Sequence, residues 1–361
     1  MRRNRVRRMT AVAAAAAAVF ATASAAQVHV ARVSDGSRAA SPLQQILDWI
    51  KAPAKAKKVY RIAWLKADAN NPYTIAERNG GLAAAKVFGA SVKVFDAAFN
   101  PTTQLRQLQD ALTAYNAHKF DGIVVEPVAG QVICGRVKAA VAAGVPVAVD
   151  NQPLCGDDGY TEGTVGYAGL QLQRYFDAHV RYAFSSCKTK CEAAVITGPV
   201  GFDVTTKGEN AVKTMSARYP NVKVVVNQAS DFSAQQGFSI MRDALTAHPN
   251  IEVVISEWDD EMVGVIRAIK AAGKTPGKDV RIYSNGADKT GTALVRNGSM
   301  TETTMLQPYE EGFYAMHEMM RYLITGKKTV GTLWTGEDPL VKKIGSLFIT
   351  KANVGKWKPE Y

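Results

Sequence analysis

From Val59 onward the chain alternates two patterns, which are short apolar runs and longer segments with apolar residues three and four positions apart. The run Val59–Leu65 is almost wholly apolar and predicts a buried strand. The segment from about Tyr73 to Phe88 has helical spacing and ends at Gly89, and Ser91–Phe95 predicts the next strand. Because strands alternate with helices, we expect parallel βαβ units and a sheet covered by helices.

The same alternation continues and predicts two similar α/β halves with doubly wound parallel sheets, joined within the glycine-rich stretch Gly156–Gly166. The further predicted strands are 122–126, 145–150, 192–197, 222–226, 251–256 and 281–284. The further predicted helices are 102–117, 131–143, 169–184, 207–218, 234–247, 261–272, 289–296 and 311–324. Ligands bind outside the carboxyl ends of strands in such sheets, so two facing sheets would form a binding cleft.

The first 26 residues have the order of a secretory signal peptide. Five arginines lie within the first eight residues, an alanine-rich apolar run extends from Met9 to about Ala23, and small residues close the segment. This order predicts export to the periplasm, the cell surface or the medium, with cleavage near Ala23 or Ala26. A leader that stays attached as a membrane anchor is the alternative.

Residues 27–57 are expected to form a lead-in to the first lobe. Within it, Ser41-Pro42 is typical of a helix start, and a short amphipathic helix with Leu43, Ile46, Leu47 and Ile50 on one face would follow. After the leader, no uninterrupted apolar run reaches the length of about 18 residues that a spanning helix needs.

Composition and charge argue against a nucleic-acid partner. Apolar residues make up 47% and charged residues 21% of the chain, which is ordinary for a globular protein. The formal net charge of +12 includes the five arginines of the leader, and the remaining basic residues are spread out rather than clustered. Nucleic-acid binding usually requires a basic stripe on one surface, so we do not expect it here.

Four cysteines fit an oxidising compartment. Cys187 and Cys191 are four positions apart in a polar stretch, and Cys134 and Cys155 each follow a predicted strand. We predict disulfides between Cys134 and Cys155 and between Cys187 and Cys191, although four cysteines allow three connectivities. The spacing lacks the CxxC and histidine partners of a zinc site, so no metal is predicted.

The sequence also lacks the motifs of common enzyme classes, which are a GxSxG elbow, a P-loop, an HExxH helix and a GxGxxG after the first strand. The five histidines are not spaced with a nucleophile, and neighbouring acids such as Asp157 and Asp158 point apart along the chain. We therefore expect neither catalytic residues nor a cofactor. An exported α/β enzyme acting on a carbohydrate is kept as an alternative.

Polar and aromatic residues follow the predicted strands at their carboxyl ends. These segments are Asp68–Tyr73, Glu126-Pro127, Asp150–Gln152, Thr197–Phe202, Asp231-Phe232, Glu257–Asp260 and Asn285-Gly286. Carboxylates and amides hydrogen-bond vicinal hydroxyls, and aromatic rings cover the apolar faces of a sugar ring. The alternative is that each residue only caps a helix or forms a turn. Taken together, the set predicts a sugar site in the cleft.

The chain resembles the ribose-binding group of type I periplasmic solute-binding proteins over roughly Val59 to Gly326. The segments that support the resemblance are Asn70–Tyr73, Val147–Asn151, Leu245–Asn250, Trp258–Met262 and Ser284–Gly286. The resemblance implies a monomeric receptor that captures a small polar solute, expected to be a sugar, and delivers it to the permease of an ATP-binding-cassette importer. A ligand-sensing module for a membrane sensor kinase or chemoreceptor would use the same lobes.

The resemblance also implies a hinge with three chain crossings, near Gly163, Leu306 and Leu340. The first lobe would comprise 58–163 and about 306–340, and the second lobe 164–305 and about 341–361. The lobes would close around the solute, because a solute that binds the closed form more tightly shifts the population towards it.

The resemblance assigns ligand contacts to residues of both lobes. Among them, Asp150 would accept two hydroxyl hydrogen bonds and Phe232 would stack on the solute. Asn151 stands where ribose binders have an arginine, and Glu126 replaces an asparagine, so a solute other than ribose is expected. The implied set is Asn71, Tyr73, Glu126, Asp150, Asn151, Lys207, Phe232, Asp259, Asn285 and Gln307.

Overall fold

The computed structural model describes residues 40–361, and the predicted signal peptide lies outside the described residues. The strands are β1 (Arg61–Lys66), β2 (Ser91–Asp96), β3 (Gly122–Val125), β4 (Val147–Asp150), β5 (Gly166–Gly169), β6 (Cys191–Thr197), β7 (Val222–Ala229), β8 (Ile251–Ser256), β9 (Arg281–Gly286), β10 (Glu302–Met305), β11 (Thr332–Trp334) and β12 (Phe348–Thr350). The helices are α1 (Pro42–Lys51), α2 (Pro72–Val87), α3 (Pro101–Asn116), α4 (Gly130–Ala142), α5 (Gln173–Ser185), α6 (Asp203–Arg218), α7 (Ala234–Ala247), α8 (Met262–Ala271), α9 (Lys289–Arg296), α10 (Pro308–Thr325) and α11 (Pro339–Ile344).

The strands form two sheets, one in each lobe. The first sheet has the order β11-β5-β4-β3-β1-β2, and all of its neighbouring strands are parallel. The second has the order β12-β10-β9-β8-β6-β7, in which only β12 runs antiparallel to its neighbour. The predicted α/β fold with two doubly wound lobes is confirmed.

The inner strands of the first sheet are buried on both faces. Side chains alternate along a strand, so Trp64 and Ala148 pack on one face beside α10, whereas Leu65 and Val149 pack on the other face. Because helices cover both faces, the inner strands read as continuous apolar runs. The same alternation decides which strand residues can reach the cleft.

Strand β5 differs from the prediction, which ends the linker at Gly166 and starts a helix at about residue 169. The segment Gly166–Gly169 instead pairs with β4 and β11 in the first sheet, and the helix α5 begins later. A Cβ atom at Gly166 would lie 2.3 Å from the Glu318 carboxyl of α10, so this strand needs small residues to pass under the helix. Because β5 is short and has glycine at both ends, its composition resembles that of a loop, and the apolar pattern does not identify it as a strand.

The chain crosses between the lobes at three places. The first crossing follows β5 at about residue 170, later than the expected position near Gly163, because β5 still belongs to the first sheet. The second lies between β10 and α10, and the third between β11 and α11, whose Val341 and Ile344 pack into the second lobe. Each lobe is therefore built from separated parts of the chain.

Helix α1 lies on the first lobe, against α10 and β11. Ser41 caps it by accepting a hydrogen bond from the Gln44 backbone N–H at 3.2 Å. Its buried residues are Leu43, Ile46 and Trp49, so Trp49 packs more deeply than the predicted Leu47 and Ile50. Across residues 40–361, none of the helices combines the length and the apolar character that crossing a bilayer demands.

Both predicted cysteine pairs are joined in the structure. The Cys134–Cys155 disulfide ties the start of α4 to the segment after β4, with the two Cα atoms 5.0 Å apart. The Cys187–Cys191 disulfide closes the turn between α5 and β6, with the Cα atoms 5.9 Å apart. Each bond thus lies within one lobe and leaves the crossings free to bend.

Candidate functional site

A cavity of about 340 Å³ lies between the carboxyl ends of the two sheets. Its volume is within the range of about 300–1,000 Å³ that small-molecule sites occupy. The first lobe lines it with Ala67, Asn71, Tyr73, Thr74, Phe99, Glu126, Pro127, Val128, Asn151, Gln152 and Gln171. The second lobe and its crossings line it with Phe176, Pro199, Phe202, Asp203, Val204, Asp231, Phe232, Glu257, Trp258, Asn285 and Leu306.

Six of the residues that the sequence suggested line this cavity, and four do not. Those on the wall are Asn71, Tyr73, Glu126, Asn151, Phe232 and Asn285. Those away from the wall are Asp150, Lys207, Asp259 and Gln307. The structure therefore brings together the first group around one space, and the positions of the second group need a separate explanation.

Asn71 lies on the cavity wall at the start of helix α2. Its side-chain Oδ1 accepts from the Thr74 backbone N–H at 3.0 Å, so it is the N-cap of α2. Its Nδ2 donates to the Asp68 carboxylate at 2.8 Å, and that carboxylate also accepts from the backbone N–H groups of Asn70 and Asn71. Asn71 thus positions the loop after β1, and its own polar atoms are largely occupied.

A hydrogen-bond chain runs from the first lobe across the floor of the cavity. The Tyr73 hydroxyl donates to Glu311 Oε2 at 2.5 Å and accepts from Asn151 Nδ2 at 2.5 Å. Gln152 Nε2 donates to Asn151 Oδ1 at 2.7 Å, and Gln152 Oε1 accepts from the Lys207 ammonium of the second lobe at 2.6 Å. Lys207 therefore contacts a wall residue without lining the cavity itself.

Two wall residues have backbone angles in the left-handed region. Asn151 has a φ of 58° and Phe232 a φ of 65°, which is uncommon for residues other than glycine and unfavourable for a bulky side chain. Such strain persists where the surrounding structure holds it, and it often marks binding sites. Here the turn directs Phe232 over Gly198, whose missing Cβ would lie 2.3 Å from the ring.

Aromatic rings from both lobes meet at the base of the cavity. The Trp258 ring centroid is 6.1 Å from that of Phe232 and 6.4 Å from that of Tyr73. Tyr361 packs behind them, 5.6 Å from Tyr73 and 6.1 Å from Trp258. Offset and edge-on arrangements of this kind are favourable, and they leave ring faces available to a bound molecule.

A buried lysine supports the wall residue Glu126. The Lys66 ammonium lies 2.6 Å from Glu126 Oε2, and it also pairs with Glu77 of α2. The Ala67 backbone N–H donates to the same Glu126 oxygen at 3.1 Å. Burial raises the pKa of Glu126 to about 8, and the nearby Glu77 charge adds to that effect while Lys66 opposes it.

On the opposite wall, two acceptors lack a full set of partners. Glu257 Oε2 accepts from the Gly198 backbone N–H at 2.9 Å, whereas Glu257 Oε1 is buried with no hydrogen-bond partner among the described residues. Asn285 Oδ1 is likewise buried without a partner in this part of the chain. Burial raises the pKa of Glu257 to about 8. Buried acceptors without partners are costly, so such atoms indicate where a ligand would donate hydrogen bonds.

Asp150 and Asp259 do not reach the cavity, because their side chains point to other partners. Asp150 lies on the same face of its strand as Ala148, so its carboxylate meets the Trp64 indole N–H at 3.0 Å beneath the wall. Asp259 accepts from the Thr303 hydroxyl of β10 at 2.7 Å and is fully buried. Gln307 is also fully buried, at the second crossing. The structure gives these three residues positions in the core.

The lobes touch each other beside the cavity through the start of α6. Asp203 Oδ2 accepts from the Gly130 backbone N–H of the first lobe at 2.9 Å. The Phe202 ring centroid is 5.5 Å from that of Phe99, which also belongs to the first lobe. These contacts join the two lobes beside the cavity.

The wall includes several residues that the sequence analysis did not propose as ligand contacts. Three of them, Gln152, Glu257 and Trp258, lie in segments that directly follow predicted strands. Their position at the carboxyl ends of strands therefore already indicated that they could reach the cleft. Phe176 and Gln171 follow the displaced first crossing, where the pattern gave no indication. The strand-end positions were therefore more informative than the individual residues carried over from the resemblance.

The sequence and the fold match known proteins. A family model described as a periplasmic binding protein domain matches residues 62–328. The ribose import binding protein of Salmonella typhimurium is 26% identical over 268 residues, which cover 73% of this chain and 84% of that protein. The crystal structure of a periplasmic ribose ABC transporter from Conexibacter woesei has a TM-score of 0.65 at 23% identity, and the match covers 76% of this chain and 89% of that one.

A further solved structure is an ABC transporter solute binding protein from Bacillus halodurans with bound myo-inositol. It has a TM-score of 0.71 at 16% identity, and the match covers 85% of this chain and 100% of that one. At these identities the solved structures show a shared fold. The described elements outside the range of the family model are α1 at one end and β11, α11 and β12 at the other.

Proposed function

We propose, from the premise that this chain belongs to the periplasmic binding protein domain family, that it captures a sugar or a related polyol outside the cytoplasm. It would deliver this solute to an ATP-binding-cassette importer, and it would act by binding without converting the solute. The observation that supports this most directly is the cavity of about 340 Å³ between the lobes, with aromatic and polar groups on both walls. Relatives named as import binding proteins favour this role over a sensing module or a carbohydrate enzyme.

The cavity wall suggests how a sugar would be held. Phe232 and Trp258 would cover its apolar face, and Asn285 with Glu257 would accept hydrogen bonds from its hydroxyls. From the first lobe, Glu126 would accept from a further hydroxyl. Asn71, Tyr73 and Asn151 would shape the opposite side, since their polar atoms already bond within the protein.

Closure would follow from the division of these contacts between the lobes. A solute that touches both walls gains contacts in the closed form that it lacks in the open one, so binding shifts the population towards closure. The Asp203–Gly130 and Lys207–Gln152 hydrogen bonds cross the cleft and would form in the same step. Bending at the three crossings would allow each lobe to move as a unit.

A thermal-shift and calorimetric screen of the purified protein against pentoses, hexoses and inositols tests this proposal. A solute that binds only the folded state adds RT ln(1 + [L]/Kd) to the free energy of unfolding. The unfolding midpoint should therefore rise. Phe232→Ala should weaken binding of the same solute by about tenfold, because stacking is worth about 0.5–1.5 kcal/mol beyond the buried area.

Phe238→Ala is the matched control, since Phe238 lies on α7 outside the cavity and packs beside Arg267. This control should lower stability without changing affinity. If no sugar or polyol shifts the midpoint, or if both variants weaken binding equally, the proposed sugar site is wrong.

A further inference from the structure

The charged side chains on the cavity wall are all acidic. They are Glu126, Asp203, Asp231 and Glu257, and among the described residues no lysine, arginine or histidine lines this space. Lys207 lies close by, but its ammonium donates to Gln152. An anionic solute would therefore find no positive partner on the wall, and burying an unpaired charge is costly.

Among the four wall acids, Glu257 combines the lack of an ion pair with a buried oxygen that has no partner in the described chain. Glu126 has the Lys66 ammonium at 2.6 Å, whereas none of the ion pairs within residues 40–361 includes Glu257. Its Oε1 is buried against Gly208 of α6 with no hydrogen-bond partner in the described chain. A positively charged donor would form a stronger hydrogen bond with this carboxyl group than a neutral hydroxyl would.

The aromatic rings of Trp258 and Phe232, which lie beside Glu257, would also attract a positively charged ammonium group. Trp258 is the neighbour of Glu257 in sequence, and the Phe232 ring centroid lies 6.1 Å from that of Trp258. An organic ammonium is attracted to aromatic faces as well as to a carboxylate. The buried Asn285 Oδ1, which lacks a partner among the described residues, adds a further acceptor on this wall.

We propose that the solute of this cavity carries a protonated amine, as an amino sugar or an aminocyclitol does, and that Glu257 receives the ammonium group between Phe232 and Trp258. This inference rests on the proposed capture of a sugar or polyol and narrows it to one charge class. The hydroxyls would still contact the remaining wall acceptors.

Binding of an ammonium group at Glu257 should change the number of protons that the protein holds. Burial raises the pKa of Glu257 to about 8, the Gly198 N–H opposes this, and the charges of Glu261 and Glu209 add to it. His179 lies near Glu257, beside a small adjoining cavity, and burial lowers its pKa to about 3, so it is neutral. At pH 7 Glu257 is therefore mostly protonated without solute. An ammonium favours the carboxylate, so its binding should release a proton.

The test compares solutes that share one ring configuration and differ in charge. D-Glucosamine, D-glucose, N-acetyl-D-glucosamine and D-glucuronate form one series, and the corresponding galactose compounds form another. Each amine should bind about tenfold or more tightly than its neutral partners, since hydrogen bonds to charged groups are worth about 1.5–3 kcal/mol. The uronates should bind most weakly. Ethanolamine is added as a protonated amine with a single hydroxyl.

Calorimetry at pH 7 in phosphate and in MOPS, two buffers of different ionisation enthalpy and without a primary amine, measures the protons released by each solute. Amine binding should release close to one proton in the wild type and none in Glu257→Gln, whose amide oxygen can still accept from the Gly198 N–H. Glu257→Gln should also lose the preference for amines. Glu162→Gln makes the same change of charge on an exposed residue that neither lines the cavity nor acts on the Glu257 carboxyl, and it should leave both results unchanged.

Each outcome separates the inference from the proposed function. If neutral sugars bind as tightly as the amines, or if Glu257→Gln keeps the amine preference, the ammonium site is wrong while sugar capture stands. If ethanolamine binds and no sugar or amino sugar does, sugar capture is wrong and the ammonium site stands. If no compound in the panel binds, both are overturned.

Discussion

Phe232 reaches the cavity through two local features of the second lobe. Its backbone turns with a φ of 65° directly after Asp231, and the Gly198 backbone lies beneath its ring without a side chain. A left-handed backbone angle is strained for a bulky residue. Surrounding contacts must therefore hold Phe232 in this conformation. The position of one ring in the cavity therefore depends on a glycine more than thirty positions earlier in the chain.

Gly198→Ala tests this dependence. The new Cβ would lie 2.3 Å from the Phe232 ring, so the ring must move, and solute affinity should fall by about tenfold as the stacking contact is lost. The measurement is calorimetry well below the unfolding midpoint. Gly135→Ala, which meets no atom within 4 Å on α4, is the control and should leave affinity unchanged.

A double-mutant cycle sharpens the result for Gly198. If its effect acts through the ring, Gly198→Ala should weaken binding in the wild type but have little further effect in a Phe232→Ala background. Additive losses would contradict the explanation, because they would mean that Gly198 influences the solute by another route.

Neighbouring residues show how far sequence reasoning reaches at this scale. Asp150 and Asn151 are adjacent, and the resemblance implies ligand contact for both. The pleat of β4 directs Asp150 towards Trp64 in the core, whereas the positive φ of Asn151 directs its side chain to the cavity. The sequence locates the strand end, but the direction of each side chain depends on register and backbone angle, which composition does not reveal.

At the scale of elements, α1 is an addition that lies outside the residues matched by the family model. Trp49 anchors it by stacking on Phe88 of the first lobe, with ring centroids 5.7 Å apart. The indole Nε1 of Trp49 is buried with no hydrogen-bond partner among the described residues. The ring therefore stabilises the helix through its apolar area, while its N–H group opposes burial.

Substitutions at Trp49 should separate these two contributions. Trp49→Ala should lower the free energy of unfolding by about 3 kcal/mol, the range for removing a large buried aromatic side chain. Trp49→Phe should cost far less, because it keeps much of the area and removes the unpaired donor. Solute affinity should not change, since α1 contributes no residue to the cavity wall.

Denaturant unfolding of the two variants provides the measurement, with Leu82→Ala at an exposed position of α2 as the control. Equal losses for Trp49→Phe and Trp49→Ala would contradict this account, because they would indicate that the indole N–H contributes to stability.

The elements that the pattern predicted share strong apolar runs or helical spacing, and the missed strands lack both. Strand β10 has the sequence Glu302-Thr303-Thr304-Met305, and its polar side chains bond within the core, as Thr304 does with His179 at 2.8 Å. Strands β11 and β12 have only three residues each. Hydrophobic periodicity cannot identify a buried strand whose polar groups are satisfied by distant partners.

At the scale of the whole molecule, many carboxyl groups are buried with few cations to balance them. Burial raises the pKa of Glu126 and Glu257 to about 8 and that of Glu261 and Glu311 to about 7. Because glutamate ionises near pH 4.5 when unperturbed, the folded protein holds more protons than the unfolded chain between these limits. Stability from these groups is therefore complete at low pH and is lost as pH rises through the folded pKa values.

Two buried histidines act in the opposite direction at lower pH. Burial lowers the pKa of His179 to about 3 and that of His317 to about 4, from an ordinary value of 6.5. The unfolded chain then binds more protons at these positions, so their effect favours folding as pH rises and is complete above about 6.5. Above that pH the carboxyl groups determine the slope.

The free energy of unfolding should accordingly decrease between pH 6.5 and 7.5 in the absence of solute. Each group that stays protonated only in the folded state contributes up to about 1.4 kcal/mol per pH unit, so Glu257 together with the partly titrating Glu261 and Glu311 gives a decrease on the order of 2 kcal/mol. Denaturant unfolding at constant ionic strength measures it. Glu257→Gln should make the slope shallower, whereas Glu162→Gln, at an exposed residue outside the cavity wall, should leave it unchanged. A free energy that rises across this interval would mean that the buried carboxyl groups are ionised in the folded protein and paired more fully than their contacts indicate.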